Sequence, residues 1–333
     1  EVLEVARSIA IHGEERVYLL AKDENHAKEL SKESVVLEAG GSIQICVCDS
    51  DDTWSRDTAP TFVWNQGDLL GLDWDFNAYG GPNEGCYWPC ERDTQIASSV
   101  CRILGFQSLK VPIILEGGSI HTDGEGTLLV TKECLLNKNR NPDLSQEEIE
   151  EILKRTLGVQ VVIWLPQGLD ADEDTNGHID NFCCFTRPAQ VVLAWTDDED
   201  KDSGNYLRCR QALDVLSSTK DAKGRSIEVC RLQLPPPLFY SSEEAKSLQG
   251  PDNVMAREAG ERMAASYVNF YIANKAVIVP QFGVSKNTDS NALEQLQKLF
   301  PNRSVIGVPS REILIGGGNI HCITQQVPSA PSS

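Results

Sequence analysis

The chain reads as an α/β protein built from a strand–strand–helix–strand unit repeated about five times. Three observations predict this. Short apolar runs come in pairs joined by turn-forming residues, the signature of β-hairpins. Helical stretches with recognisable caps fall between the pairs, and some lead into a further apolar run. A polar or glycine-rich segment precedes each pair, and a fifth such segment stands near the C-terminus, at irregular intervals of roughly fifty to ninety residues. Five such segments at one end of five units would surround a central site.

Taken in order, Glu1-Val-Leu-Glu-Val-Ala opens as a helix. Asp57 to Trp64 and Leu69 to Asp73 flank the turn Asn-Gln-Gly-Asp, and Glu116 to His121 and Thr127 to Val130 flank Thr-Asp-Gly-Glu-Gly. His178 to Phe185 pairs with Val191 to Ala194, and Ser266 to Ile272 with Ala276 to Val279. Helices are expected over Asp93–Leu104 before Gly105, over Ile149–Leu157 behind the capping box Ser145-Gln-Glu-Glu148, and over Asn291–Phe300 before Pro301. Val161–Trp164 and Ser304–Val308 are the strands that two of them feed. No linker divides the chain, so residues 1–333 are expected to form one domain, with 328–333 a loose tail.

The chain has 333 residues, 41% of them hydrophobic, and a formal net charge of -19. The acidity argues against nucleic acid or an anionic membrane as partner and suits a small cationic substrate. It would also serve solubility alone. No apolar run approaches the ~20 residues of a membrane span. The acidic start lacks the basic and apolar regions of a signal peptide. Eleven scattered cysteines read as reduced residues of a cytoplasmic protein, an organelle stroma being compatible. Cys86 and Cys90 have no second pair at zinc-finger spacing, so no metal is expected. Gly316-Gly-Gly318 lacks the Lys-Ser or Lys-Thr of a phosphate-binding loop. A homodimer is left open, because no stretch marks its surface.

Cys322 lies in Gly316-Gly-Gly-Asn-Ile-His-Cys322, and only a thiolate is a strong nucleophile. His178, one of five histidines, could protonate a leaving group and then activate water. Asp57, Glu116 and Asp180 add negative charge, and His178 and Asp180 would share a face if they lay on a strand. Each has a plain alternative: a core cysteine, a hydrogen-bonded histidine, a salt bridge from Asp57 to Arg56, a turn residue at Glu116. As a set they fit chemistry on a planar cation, with carboxylates gripping nitrogens around an electrophilic carbon. That chemistry is guanidine hydrolysis. Trp54 fits either the aliphatic stem of a substrate or the core. His121 and His321 read as structural or supporting groups.

The runs Trp54-Ser-Arg-Asp-Thr-Ala-Pro60, Leu115-Glu-Gly-Gly-Ser-Ile-His121, Cys134-Leu-Leu-Asn-Lys-Asn-Arg-Asn-Pro142, Asp172-Glu-Asp-Thr-Asn-Gly-His-Ile-Asp-Asn181 and Gly316 to Gln326 resemble the agmatine deiminases nearly end to end, with wording closest to the plant and algal form. The resemblance implies a five-bladed αβ-propeller, the pentein fold, of ββαβ units around a central active site. It implies hydrolysis of agmatine to N-carbamoylputrescine and ammonia through a covalent thiouronium on Cys322, on the way to putrescine, with no cofactor. It places Asp57 and Asp180 on the guanidinium and Glu116 beside His178. Asp174 is a candidate for the distal ammonium; Asp172, Glu173 or a backbone carbonyl would serve equally. The acidic run Asp170 to Asp174, free of Lys and Arg, would disfavour the carboxylate of arginine. The family opens with a Thr-Trp-x-x-Trp-Pro-like segment before its first helix, whereas this chain starts at that helix, which bears on the completeness of the first unit.

Overall fold

The computed structural model describes residues 1–248 and 256–330. The final residues of the expected loose tail, 331–333, lie outside them, and 328–330 carry no regular structure.

Among the described residues, fourteen strands form five separate sheets. The first holds only β1 (Val17–Ala21) and β2 (Ile43–Val47), paired in parallel. The second holds β3 (Thr61–Asn65), β4 (Asp68–Asp75) and β5 (Gln107–Ile114), and the third β6 (Ile120–Thr122), β7 (Thr127–Thr131) and β8 (Val161–Leu165). The fourth holds β9 (Cys183–Arg187), β10 (Gln190–Trp195) and β11 (Glu228–Gln233), and the fifth β12 (Tyr271–Ile272), β13 (Ala276–Gln281) and β14 (Ser304–Pro309). In all four three-stranded sheets the first strand is antiparallel to the middle one, and the middle one is parallel to the last. A helix makes each parallel crossover: Ile96–Leu104, Gln146–Leu157, Ser203–Ser218 and Lys286–Leu299. The expected unit is therefore complete four times, and the first sheet has two strands where three were expected.

Local chemistry accounts for most of this. The middle strands β7 and β10 are buried along their whole length, which is why they read as unbroken apolar runs rather than alternating ones. Ser145 and Glu148 make both halves of the capping box, and Gly158 ends that helix in the left-handed region at φ 69°. Ile149 and Leu153 turn its apolar stripe onto the third sheet, about 2 kcal/mol of burial each. Lys286–Leu299 starts a turn earlier than expected because Ser285 caps it through Thr288 N. Ser203–Ser218 was not expected at all. Its buried stripe is Asn205, Cys209, Ala212 and Leu216, too polar and small to stand out as apolar periodicity. The opening helix, Val2–Ile11, packs Val5 and Ile9 among Ala276, Ile278 and Val308 of the fifth sheet, bringing the start of the chain against its last unit.

Three expected strand starts are turns instead, Gly117–Ser119 behind Glu116 being a 3-10 turn, and of Ser266–Ile272 only Tyr271–Ile272 is strand. Asp57 lies in the helical turn Ser55–Thr58, and His178 precedes the 3-10 turn Ile179–Asn181 that holds Asp180. His178 and Asp180 therefore share no strand face. The turns crowd their side chains together at the mouth of the sheets, where a strand would have spaced them along it.

Candidate active site

The segments ahead of the four complete units and the one near the C-terminus deliver their polar side chains to one buried centre. Asp57 precedes β3, Glu116 precedes β6, His178 and Asp180 precede β9, and Asn269 precedes β12. Cys322 follows the loop Gly316–Gly318. His178 Nδ1 stands 3.8 Å from Asp57 Oδ1, and its Nε2 3.6 Å from Glu116 Oε2. The Cys322 thiol donates to Asp180 Oδ2 at 3.8 Å, and Asn269 Nδ2 donates to the sulfur at 3.3 Å. Cys322, His178 and the three carboxylates are each no more than 6% exposed.

Glycines make this approach possible. A Cβ at Gly118 would lie 2.5 Å from His178 Nδ1, 2.9 Å from Asp57 Oδ1 and 3.0 Å from Asp180 Oδ2. Its N–H donates to Asp57 Oδ1 at 2.8 Å. A Cβ at Gly318 would meet the Trp54 ring at 2.4 Å and Cys322 Cβ at 3.0 Å. The Trp54 ring thus packs closely against the loop that carries the thiol, and its Nε1 donates to Asp52 Oδ2 at 3.1 Å.

Charge sets the resting state. Burial and the carboxylates of Asp180 and Asp57 push the Cys322 thiol well above its usual range, so it rests protonated. Burial disfavours a charged His178, but Asp57, Cys134 and Glu116 outweigh it and hold the ring as an imidazolium. Burial lifts Asp57 to about 6 despite His178. Burial also works against ionised Glu116, yet Arg140 and His178 prevail and bring it to about 2. Burial raises Asp180 as well, with His178 and Arg56 opposing. The centre therefore offers a proton donor at His178 and negative charge ready to receive a cation.

Surrounding groups fix these positions. Arg140 Nε donates to Glu116 Oε1 at 2.6 Å with neither side chain exposed. The Tyr79 hydroxyl donates to Asp57 Oδ2 at 2.8 Å. Asp172 accepts from His178 N at 3.1 Å and from Asn181 Nδ2 at 3.0 Å. His321, kept neutral chiefly by burial, places Nδ1 2.8 Å from Asp180 Oδ2. Arg56 makes no salt bridge to Asp57; its N–H donates to Cys322 O at 2.9 Å and its Nε to His321 O at 3.3 Å. Among the described residues, Glu116, Cys134 and His178 form a group close enough to hold a metal ion. A cavity of about 590 Å³ adjoins this centre, with Arg56, His121, Tyr271 and His321 in its wall.

The sequence profile of the Porphyromonas-type peptidyl-arginine deiminase family matches residues 1–328. The chain belongs to this family. It is 50% identical over 290 residues to the agmatine deiminase of Ectopseudomonas mendocina, spanning 86% of this chain and 77% of that one. It is 50% identical over 291 residues to the agmatine deiminase of Pseudomonas aeruginosa strain LESB58, spanning 87% of this chain and 78% of that one. The solved agmatine deiminase of Enterococcus faecalis superimposes with a TM-score of 0.87 at 37% identity, covering 98% of this chain and 86% of that one. This member of the family therefore has the α/β pentein fold expected from its sequence. These relatives are bacterial, and they do not support a likeness to the plant and algal form in particular.

Of the residues singled out in the sequence, Cys322, His178, Asp57, Glu116 and Asp180 lie together in this centre. Asp174 is held by Arg257 in a two-point ion pair, with Nη1 2.8 Å from Oδ1. Asp170 likewise pairs with Arg208 Nε at 3.2 Å. The acidic run is therefore not a bare negative wall, because the fold brings in arginines distant in sequence. Cys86 lends its thiol to the carbonyl of Asp174 at 3.7 Å. Sequence reasoning assigned no role to Asn269 or Arg140. A signal for Asn269 existed, since it sits ahead of β12 as Asp57, Glu116 and His178 sit ahead of β3, β6 and β9.

Proposed function

We propose that this protein hydrolyses agmatine to N-carbamoylputrescine and ammonia, a step toward putrescine, with residues 1–333 acting as one catalytic domain. The observation that carries this reading is the meeting of a thiol, an imidazolium and three carboxylates in one buried centre. The names of the relatives add the substrate. Asp57 and Asp180 hold the guanidinium, whose charge offsets theirs and favours the Cys322 thiolate as the thiol proton is released. The thiolate attacks the guanidinium carbon. The tetrahedral adduct collapses as His178 gives its proton to the departing nitrogen, and ammonia leaves a thiouronium on Cys322. His178, now neutral, takes a proton from water, which attacks the same carbon. Collapse of the second adduct frees the ureido product and the thiolate. Glu116 keeps His178 charged for the first half, and Asn269 donates to the sulfur throughout. Trp54 fits the wall along the substrate stem. The distal ammonium falls to Glu173 or a carbonyl more readily than to Asp174, whose charge Arg257 already meets, or to Asp172, whose buried carboxylate holds the His178 backbone and Asn181. The unpaired cysteines suit a reducing, cytoplasmic setting, and no described helix is long and apolar enough to cross a membrane.

The test is ammonia release from agmatine, free arginine and a peptidyl arginine. Agmatine should give the highest kcat/KM, and Cys322→Ala should abolish release with the fold unchanged by circular dichroism. Mass spectrometry of the quenched enzyme should place the adduct on Cys322. An equal or higher kcat/KM for either arginine substrate would sink the agmatine assignment, and an adduct on another cysteine would sink the mechanism.

A further inference from the structure

One buried nucleophile at this centre has no part in the reaction. Cys134 is fully buried in the helical turn Lys132–Leu135 and neighbours the His178 ring. The ligand atoms of Glu116, Cys134 and His178 all lie within 4.8 Å of one another. Two polar atoms in this group, Glu116 Oε2 and His178 Nε2, are buried without a hydrogen-bond partner and stand 3.6 Å apart. We propose that Glu116, Cys134 and His178 form a site for a thiophilic divalent cation, zinc above all, whose occupancy switches hydrolysis off.

Geometry and donor chemistry agree on the ion. Tetrahedral zinc with its usual bonds to sulfur, nitrogen and oxygen sets its ligands about 3.3–3.7 Å apart. The Nε2 to Oε2 distance of 3.6 Å already fits. The widest separation the group allows, 4.8 Å, needs an inward shift of about 1 Å to reach bonding geometry. A thiolate, an imidazole and a carboxylate together suit zinc and not magnesium or calcium, which take all-oxygen sets. The carboxylates Asp57 and Asp180 stand nearby and favour a dication, while Arg140, which donates to Glu116 Oε1 and leaves Oε2 open, is a cation beside the group that opposes it. On binding, the Cys134 thiol and the His178 ring each release a proton to solvent as the metal bonds form, and nothing is oxidised or reduced. His178, bound through Nε2, then stays a neutral ring and cannot become the imidazolium that protonates the departing nitrogen. Asp57, Asp180 and Cys322 stay free, so a substrate cation can still bind.

The inference rests on His178 carrying the proton in the proposed reaction, and its test reads the metal separately from turnover. Cobalt(II) is added to the purified protein, and the thiolate-to-cobalt absorption in the near ultraviolet is recorded. The band should appear in the parent and in Cys322→Ser, and should vanish in Cys134→Ser and in His178→Gln. Zinc should lower kcat with KM for agmatine little changed. The zinc concentration for half-inhibition, scaled to each variant's own rate, should rise at least about tenfold in Cys134→Ser, as expected for a lost ligand. A band that survives Cys134→Ser and disappears in Cys322→Ser would put the ion on the nucleophile and overturn the proposal. So would the absence of any band in the parent. If Cys134→Ser does not fold, the pair Cys322→Ser and His178→Gln still decides, because a band kept by the first and lost by the second requires a sulfur other than Cys322 beside His178. A protein that proved inactive on agmatine would still give the band, so failure of the functional reading and failure of this one are separable.

Discussion

At the scale of single residues, the chemistry turns on which groups are charged before substrate arrives. Asp57 must be ionised to hold a cation, and burial lifts its carboxyl to about 6. kcat/KM should therefore fall as pH drops through about 6, by about tenfold per unit well below it. A bound guanidinium favours the ionised form, so the same limb should move to lower pH in kcat. Rates from about pH 8 to about pH 5 check this, and a flat kcat/KM would place guanidinium binding elsewhere. Glu116 behaves oppositely. Its folded value of about 2 lies below the ordinary ~4.3 of a free side chain, so its ionised form stabilises the fold above that ordinary value. The contribution is lost only as pH falls through about 2. It depends on Arg140, with which it shares a fully buried ion pair. Arg140→Met should cost about 3–5 kcal/mol, because it strands a buried carboxylate. Urea unfolding at neutral pH measures this, and a loss below about 1 kcal/mol would mean that water or another donor takes over. That Cys322, His178, Asp57, Glu116 and Asp180 belong together was legible only as a set, through the runs that resemble the agmatine deiminases, since each residue alone had a plain alternative. Arg140 and Asn269 were not. Their partners lie 24 and 53 residues away, and no local pattern encodes a contact at that distance.

At the scale of elements, the hairpins and capped helices were legible because their signals are local: turn residues between apolar runs, a capping box, a glycine after the last helical turn. What local signals missed was the conformation of the segments ahead of the strands. Ser55–Thr58 and Ile179–Asn181 are turns, and it is the turn, not the strand, that folds Asp57, His178 and Asp180 onto one point. Gly118 occupies that point, and a methyl group there would sit 2.5 Å from His178 Nδ1. Gly118→Ala should therefore lower kcat/KM by about a hundredfold or more through misplaced groups. Ser145→Ala, at the cap of the helix Gln146–Leu157, should cost about 1 kcal/mol of stability and leave kcat/KM unchanged. Steady-state kinetics and thermal melts on both variants separate positioning from scaffolding. If Gly118→Ala kept the parent's rate, the crowding of these three side chains could not be what catalysis requires.

At the scale of the whole molecule, the described sheets pair no strands with one another, and the four three-stranded ones are coupled through the groups their leading segments share. The site draws on residues from Asp57 to Cys322, and the opening helix packs on the last sheet, so the centre depends on units spread along most of the chain. The net charge of -19 belongs to this scale too. The local acidic run Asp170–Asp174 is partly neutralised by Arg208 and Arg257, so any attraction for a cation must come from the summed field and from the buried carboxylates at the centre. That field reaches about 30 Å at 0.01 M salt and about 8 Å at 0.15 M. If it guides a doubly charged substrate such as agmatine, kcat/KM should fall severalfold as ionic strength rises from about 0.01 to about 0.3 M, with kcat unaffected, since salt acts on encounter and not on the enclosed reaction. An alkylguanidine without the distal ammonium carries half the charge and should show a shallower slope. Equal slopes for the two would mean that the distal charge is not sensed during approach. A flat response for both would leave solubility as the only work of the acidic surface, and recognition would then begin at Asp57 and Asp180 alone.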